Sequence, residues 1–267
     1  MNFKKEYIIQ QKLCETSSSL IYKGIHNVTK ETMTIKFEKP NGSVKFLANE
    51  TKIRQYLDNV NGIPKLMEYG IFRARRYIIY PYISHTLYNT TLTQSEIFNC
   101  AEQLLVILKN IHQNGILHCD ISAMNVFCDS TKTKFYLSDF GQAKHVTFSI
   151  NSNLSSNKMS GCPLFCSINI HKGDEYSYRD DLISLGYLIY YSIKKTIPWS
   201  GLSTCREIFE KKLLFSQKYS SFDIPEPLKI YFNYCFHLEI NQKPKYLLLS
   251  QLFKDHLQQL KQITIPT

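Results

Sequence analysis

The chain is expected to be an α+β protein: a mainly β first part with one helix, followed by a larger helical part. Two observations carry that expectation. Short β-prone apolar runs punctuate the first 80 residues, whereas from residue 93 onward apolar residues recur at three- and four-residue steps. At 267 residues the chain is long enough for one large domain or two closely packed lobes.

The elements follow in order. Tyr7-Ile8-Ile9, Leu20-Ile21-Tyr22 and Met33-Thr34-Ile35-Lys36-Phe37 predict strands. Asn49 to Leu57 predicts a helix, broken by Asn61-Gly62-Ile63-Pro64. Tyr77-Ile78-Ile79-Tyr80 is a further strand, stopped by Pro81, and the arginines at 73, 75 and 76 suggest a solvated hairpin before it. Ile97, Ala101, Leu104, Leu105, Leu108 and Ile111 share one helical face. A Thr93/Glu96 capping box starts that helix, and Asn114-Gly115 ends it. Two more helices are expected, at Asp181 to Ile193 and Pro227 to Phe236. The chain stops soon after the second, which predicts no regulatory tail.

Composition narrows the class. Hydrophobic residues make up 43% and charged residues 20%, the balance of a soluble globular protein. Leu182 to Ile193 is too short to span a bilayer, and the N-terminus lacks a signal-peptide apolar core. An intracellular protein is expected, cytoplasmic or nuclear, with no membrane partner. Eight scattered cysteines without a Cys-x-x-Cys pair read as reduced thiols. Asn49-Glu50-Thr51 matches a glycosylation pattern, read as chance in such a chain. A net charge of +10 favours acidic partners, but no nucleic-acid recognition motif accompanies it.

The chemistry concentrates in His118-Cys119-Asp120-Ile121-Ser122-Ala123-Met124-Asn125, with Ser138-Asp139-Phe140-Gly141 within twenty residues. An ionised carboxylate at Asp120 would orient a hydroxyl and accept its proton. The neutral oxygen of Asn125 and the charged one of Asp139 suit a magnesium ion bridging phosphate oxygens. Lys36 lies on the third expected strand, and Glu50, fourteen residues on in a helix, is placed to fix its ammonium group.

With these motifs in this order, the chain resembles the eukaryotic protein kinases, and within them the casein kinase I group. The closer likeness rests on Cys166-Ser167-Ile168-Asn169, then Arg179-Asp180-Asp181-Leu182 through Gly186, Pro198-Trp199, and Gln242-Lys243-Pro244-Lys245-Tyr246. The resemblance implies a two-lobed fold in a single kinase domain over residues 1–267, with a small, mainly antiparallel β N-lobe with one helix over about 1–80, a hinge at about 81–84 and a larger helical C-lobe over about 85–267. It implies ATP and Mg2+ as cofactors, serine or threonine of protein substrates as acceptor, and a monomer. Lys36 would grip the phosphates and Asp181 would brace the catalytic loop. Tyr80 would guard the adenine pocket, with the backbone of Pro81 to Ile83 as the hinge.

The chain also departs from the family pattern. Leu13, Cys14, Glu15, Thr16, Ser17, Ser18, Ser19, Leu20 and Ile21 stand where the phosphate-covering loop belongs, with Cys14, Thr16 and Ser19 at its glycine positions. If strained backbone is required there, side chains would cost nucleotide affinity roughly 1–3 kcal/mol, unless Ser17, Ser18 and Ser19 donate hydroxyls to phosphate. Cys119 replaces an arginine, and Ser122 replaces a lysine that neutralises developing charge. Leu164 and Tyr178 replace arginines that read a phosphate already on the substrate. An active serine/threonine kinase is the leading expectation, and a pseudokinase scaffold is the alternative. Small-molecule phosphotransferases share His-x-Asp-x-x-x-x-Asn but not the Asp139 motif together with Asp181-x-x-Ser184-x-Gly186 and Pro198-Trp199.

Overall fold

The computed structural model describes residues 2–39, 46–146, 161–240 and 242–263. Six strands form one antiparallel sheet: β1 (Asn2–Phe3), β2 (Tyr7–Glu15), β3 (Ser19–His26), β4 (Thr32–Glu38), β5 (Glu68–Phe72) and β6 (Arg75–Pro81), ordered β1-β2-β3-β4-β6-β5. Helix α1 (Phe46–Tyr56) covers one face. The helical part holds α2 (Gln94–Gln113), α3 (Ile168–Lys172), α4 (Tyr178–Lys194), α5 (Cys205–Lys218), α6 (Glu226–Phe236) and α7 (Tyr246–Ile263). With them go five short strands, β7 (His85–Thr86) before α2 and β8 (Ile116–Leu117), β9 (Val126–Cys128), β10 (Phe135–Leu137) and β11 (Lys144–His145) after it. The α+β expectation, a small antiparallel lobe with one helix and a larger helical lobe, holds.

Alternation on β4 explains how the sheet serves both a core and a cleft. Met33, Ile35 and Phe37 point into an aromatic cluster with Phe3, Tyr7, Tyr77 and Ile79, while Lys36 points to the opposite face, as successive strand residues must. That second face carries Ile78 and Tyr80, which pack with Leu47 of α1. Phe3 on the short first strand seals the aromatic cluster, with the rings of Phe37, Phe72 and Tyr77 centred 4.9, 4.8 and 5.0 Å away. The β5–β6 hairpin turns at Arg73 and Ala74, both left-handed at φ 45° and 61°. That is the conformation that matches strand twist in a two-residue loop, here taken without glycine or asparagine.

The helical lobe has one core. Apolar faces of α2, α4, α6 and α7 meet there, including Phe98, Leu108, Leu185, Tyr231 and Phe253. The α2 capping box forms as expected, Glu96 N–H donating to Thr93 Oγ1 at 3.2 Å and Thr93 N–H to Glu96 Oε2 at 2.7 Å. Gly115, at φ 71°, turns the chain out of that helix. Two long helices exceed the expectation. Helix α5 lies between the two expected helices, and α7 follows them and packs back on α2, its Ser250 hydroxyl donating to Glu102 at 2.8 Å. No helix among the described residues is long and apolar enough to cross a membrane.

Candidate active site

Burial on both faces of β4 makes Lys36 a poorly solvated cation, 4% exposed. Such a group must be paired. Its ammonium lies 2.8 Å from Glu50 Oε2 and 2.9 Å from Asp139 Oδ1. Burial works against the charge, yet Glu50 and then Asp139 hold the lysine pKa above its ordinary value. Glu50 Oε1 faces Arg54 one turn on, 3.6 Å from its Nε, and the Arg54 guanidinium lies over the ring of Tyr80 at 4.8 Å. Lys36, Glu50 and Asp139, from a strand, a helix and a distant turn, therefore converge.

The loop carrying Asp120 is held from beneath. Asp181, fully buried at the start of α4, accepts the backbone N–H of His118 at 2.8 Å and of Cys119 at 3.0 Å. It also accepts the Tyr176 hydroxyl at 3.1 Å and pairs with His112 Nε2 at 2.9 Å. Burial pushes its pKa up, but the His112 bond and the backbone N–H bond from His118 pull it down, so the carboxylate sits below its ordinary range. Cys119 is left-handed at φ 65°, unusual for a residue with a Cβ. The two bonds to Asp181 fix that turn, and Gly161 closes against it. A Cβ at residue 161 would lie 2.5 Å from the Cys119 carbonyl oxygen, so only glycine fits.

Asp120 emerges from this turn half-buried. Its Oδ1 accepts the Cys162 N–H at 2.9 Å and its Oδ2 accepts Asn125 Nδ2 at 3.0 Å. Burial raises its pKa above the ordinary aspartate value, and the nearby charge of Asp139 adds to that rise. Asn125 also donates to the Asp120 carbonyl at 2.8 Å. With its nitrogen turned to Asp120, its oxygen is left to face elsewhere. Asp139 is left-handed at φ 62°, its Oδ1 accepting the Gly141 N–H at 3.3 Å. Burial opposes its charge, but Lys36 outweighs that and lowers its pKa. A third of the Asp139 side chain remains exposed. One anionic oxygen and one amide oxygen, incompletely enclosed, suit magnesium, which keeps most of its coordination for water and phosphate.

The loop at residues 13–21 does not meet the condition on which a loss of affinity was expected. None of residues 13–21 has a positive φ, so Cys14, Thr16 and Ser19 need no strain to replace glycine. Thr16 Oγ1 instead accepts the N–H groups of Ser18 at 3.3 Å and Ser19 at 3.0 Å, and the Thr16 N–H donates to the Ser19 carbonyl at 2.9 Å. A side-chain-capped turn has taken the place of a glycine turn. Its hydroxyls are not equally available. Ser19 is buried and bonded to Ser18, whereas Ser17 is exposed at the tip. Glu15 is held by Lys12 and Lys39, the latter at 2.7 Å, and Leu13, Leu20 and Ile21 lie on the paired strands. At the cleft's rear, Tyr80 is buried and Pro81 and Ile83 are half-buried. Pro81 has no N–H, and that of Tyr82 donates to Thr32 at 3.1 Å.

The Cys166-Ser167-Ile168-Asn169 motif also acquires a physical meaning. Ser167 Oγ and Asn169 Nδ2, the latter at 3.0 Å, donate to Asp180 Oδ1. Its Oδ2 accepts the N–H and hydroxyl of Ser177 at 2.8 and 3.0 Å. Neutral donors thus satisfy a buried acid while its neighbour Asp181 braces the catalytic loop. Trp199 Nε1 donates to the Leu164 carbonyl at 2.7 Å. Lys212 on α5, fully buried, donates to the carbonyls of Pro163 and Cys166 at 2.6 Å each. Sequence reasoning missed Lys212, Arg54 and His112. Only Arg54, four residues after Glu50, had a readable signal.

Lys36 thus joins Glu50 and Asp139, Asp120 joins Asn125, and Asp120 lies near enough to Asp139 to feel its charge. Comparison with known families gives the same grouping. A family model described as the protein kinase domain matches residues 7–262, from the first residue of β2 to the last turn of α7. The chain belongs to the protein kinase domain family.

Proposed function

We propose that this chain is an active, divergent serine/threonine kinase of the casein kinase I type, transferring the γ-phosphate of ATP to a protein hydroxyl. The bridging of Glu50 and Asp139 by the Lys36 ammonium carries this reading, because it brings the lysine proposed to bind phosphate beside the acid proposed to bind metal. Lys36 would grip the phosphates, with Glu50 holding it in place. Asp139 and Asn125 would hold the metal, which neutralises the phosphate oxygens when bound. Asp120 would orient the acceptor hydroxyl and take its proton. Pro81 can offer adenine only a carbonyl, so Ile83 would supply the N–H of the hinge between the lobes. Ser17, exposed at the turn tip, is the hydroxyl best placed to reach phosphate.

Substrate choice follows from two apolar positions. Leu164 packs against the core, and the Tyr178 ring lies 4.9 Å from that of His112. Neither presents a cation, so substrates need carry no prior phosphate, although the overall charge of +10 favours acidic ones. The enzyme would act as an intracellular monomer on protein substrates.

One observation favours the pseudokinase reading. Ser122 is buried and brings no positive charge to the catalytic loop, where such charge stabilises the transition state. Single-turnover transfer by the purified chain, with Asp120→Asn as control, separates the two. Transfer by the wild type of at least about a hundredfold over the mutant supports the enzyme, given the 10²–10⁴ typical of a positioned base. Equal residual signal in both would falsify it.

A further inference from the structure

Asn49 immediately precedes Glu50 on α1, yet its side chain points at a different segment. Its Nδ2 donates to the carbonyls of Gly141 at 3.0 Å and Ala143 at 2.9 Å, with that of Phe140 at 3.5 Å. A primary amide has two N–H groups, so Gly141 and Ala143 take the short bonds and Phe140 the marginal one. Three converging carbonyls also settle which end of the amide faces them, since its oxygen would meet three acceptors.

The same helix touches that segment again. A Cβ on Gly141 would lie 3.4 Å from Phe46 Cβ and 3.1 Å from Asp139 Oδ1, so glycine allows the close approach. The segment needs such support. Asp139 is held in the left-handed region, a conformation that persists only when its surroundings over-determine it. Cys119 is buried with its backbone committed to Asp181, so no arginine at that position is available to draw this region in through a phosphate. A glycan on Asn49 is incompatible with these inward bonds, which disposes of the glycosylation pattern.

We propose that Asn49 is a positioning residue that clasps α1 to Phe140–Ala143, so that Glu50 and Asp139 are held on Lys36 together. The clasp supplies internally the coupling that a phosphate-binding arginine would otherwise provide. Its consequence for catalysis rests on the phosphotransfer reading above, but its structural content does not.

The test uses the full chain with Asn49→Asp, which keeps the shape and loses both donors, and Asn49→Leu as a second variant. Amide exchange is followed over residues 46–57 and 137–146. Loss of two hydrogen bonds predicts exchange rising about tenfold to hundredfold in both segments together. With the wild type active, kcat should fall over the same range while KM for ATP changes less. A carboxyl facing carbonyl oxygens has its pKa raised, so lowering the pH to about 5 should restore one donor and part of the protection in Asn49→Asp. Asn49→Leu should show no such recovery, which separates a lost bond from general loosening. Unchanged exchange over 137–146 in both variants, or equal pH response in the two, overturns the clasp. A wild type that transfers no phosphate defeats the kinase reading alone, and the exchange arms still decide this one.

Discussion

Glu50 Oε2 lies 2.8 Å from the ammonium of Lys36, with both side chains at most 5% exposed. Neither charge has water to fall back on, and Glu50 Oε1 has only Arg54 at 3.6 Å. Removing one partner of a buried ion pair costs about 3–5 kcal/mol when the other is left alone. Lys36 would keep Asp139 while Arg54 loses its acid, so Glu50→Ala should lower the unfolding free energy by up to about that much in urea titration. Transfer should fall further than Glu50→Gln causes, because glutamine keeps an oxygen for Lys36. Equal stability of the alanine variant and wild type would contradict the pairing.

Asp181 serves four donors at once. Asn in its place would turn an N–H₂ toward groups that themselves donate, at about 1–3 kcal/mol for each one left unsatisfied. The left-handed turn at Cys119 depends on two of those bonds and carries Asp120 next to it. Asp181→Asn should therefore lower kcat by more than its fall in melting temperature accounts for, with KM for ATP little changed. A stability loss with kcat intact would show that the brace and the base are independent.

How much of this was legible depended on whether chemistry or packing set the residue. Lys36, Glu50, Asp120, Asn125 and Asp139 could be read because polar side chains at fixed spacings have few other reasons to recur together. Helix α2 was readable because its apolar period and its capping box agree. Helix α5 was hidden by Lys212, which sits on its buried face between Ile208 and Phe215 and breaks the apolar stripe. Its Thr204/Glu207 capping box was the available clue. Strand β5 reads inverted. Tyr69 and Ile71 are exposed, while Glu68 faces Lys4, Tyr7 and Tyr77. Helix α7 did show its period, in Leu249, Phe253, Leu257 and Leu260, and the expectation of an early chain end concealed it. Asn49 left no trace, because backbone carbonyls bind it and those have no sequence signature.

The turn at residues 16–18 makes a counter-intuitive prediction. Restoring a family-like glycine at Thr16 relieves no strain, since φ there is already negative. It deletes the oxygen that accepts from Ser18 and Ser19. Each such bond is worth about 0.5–1.5 kcal/mol net. Thr16→Gly should therefore weaken Mg2+-dependent ATP binding in calorimetry, by up to about tenfold for a cost of 1.4 kcal/mol. A gain in affinity would show that the side chains obstruct the phosphates.

His171 Nε2 lies 3.2 Å from Lys212 Nζ, near the Pro163 carbonyl and the Phe209 ring. Burial, then the Lys212 charge, pushes the His171 pKa down to about 4. The lysine donates to a neutral imidazole, and a proton on that ring would set two cations against each other. An unfolded histidine takes its proton near pH 6.5, so between that value and about 4 the unfolded chain binds more protons. Stability from this site is therefore complete above pH 6.5 and lost as pH falls through the window. Burial also lowers the Lys212 pKa to about 8, which makes stability rise with pH from there toward the ordinary lysine value. His171→Asn should shrink the melting-temperature difference between pH 7 and pH 5, and Lys212→Met should abolish the Lys212 part of the rise above pH 8. An unchanged acid-side slope in His171→Asn would mean that the imidazole takes its proton alike in the folded and unfolded chain, and that Lys212 does not hold it neutral.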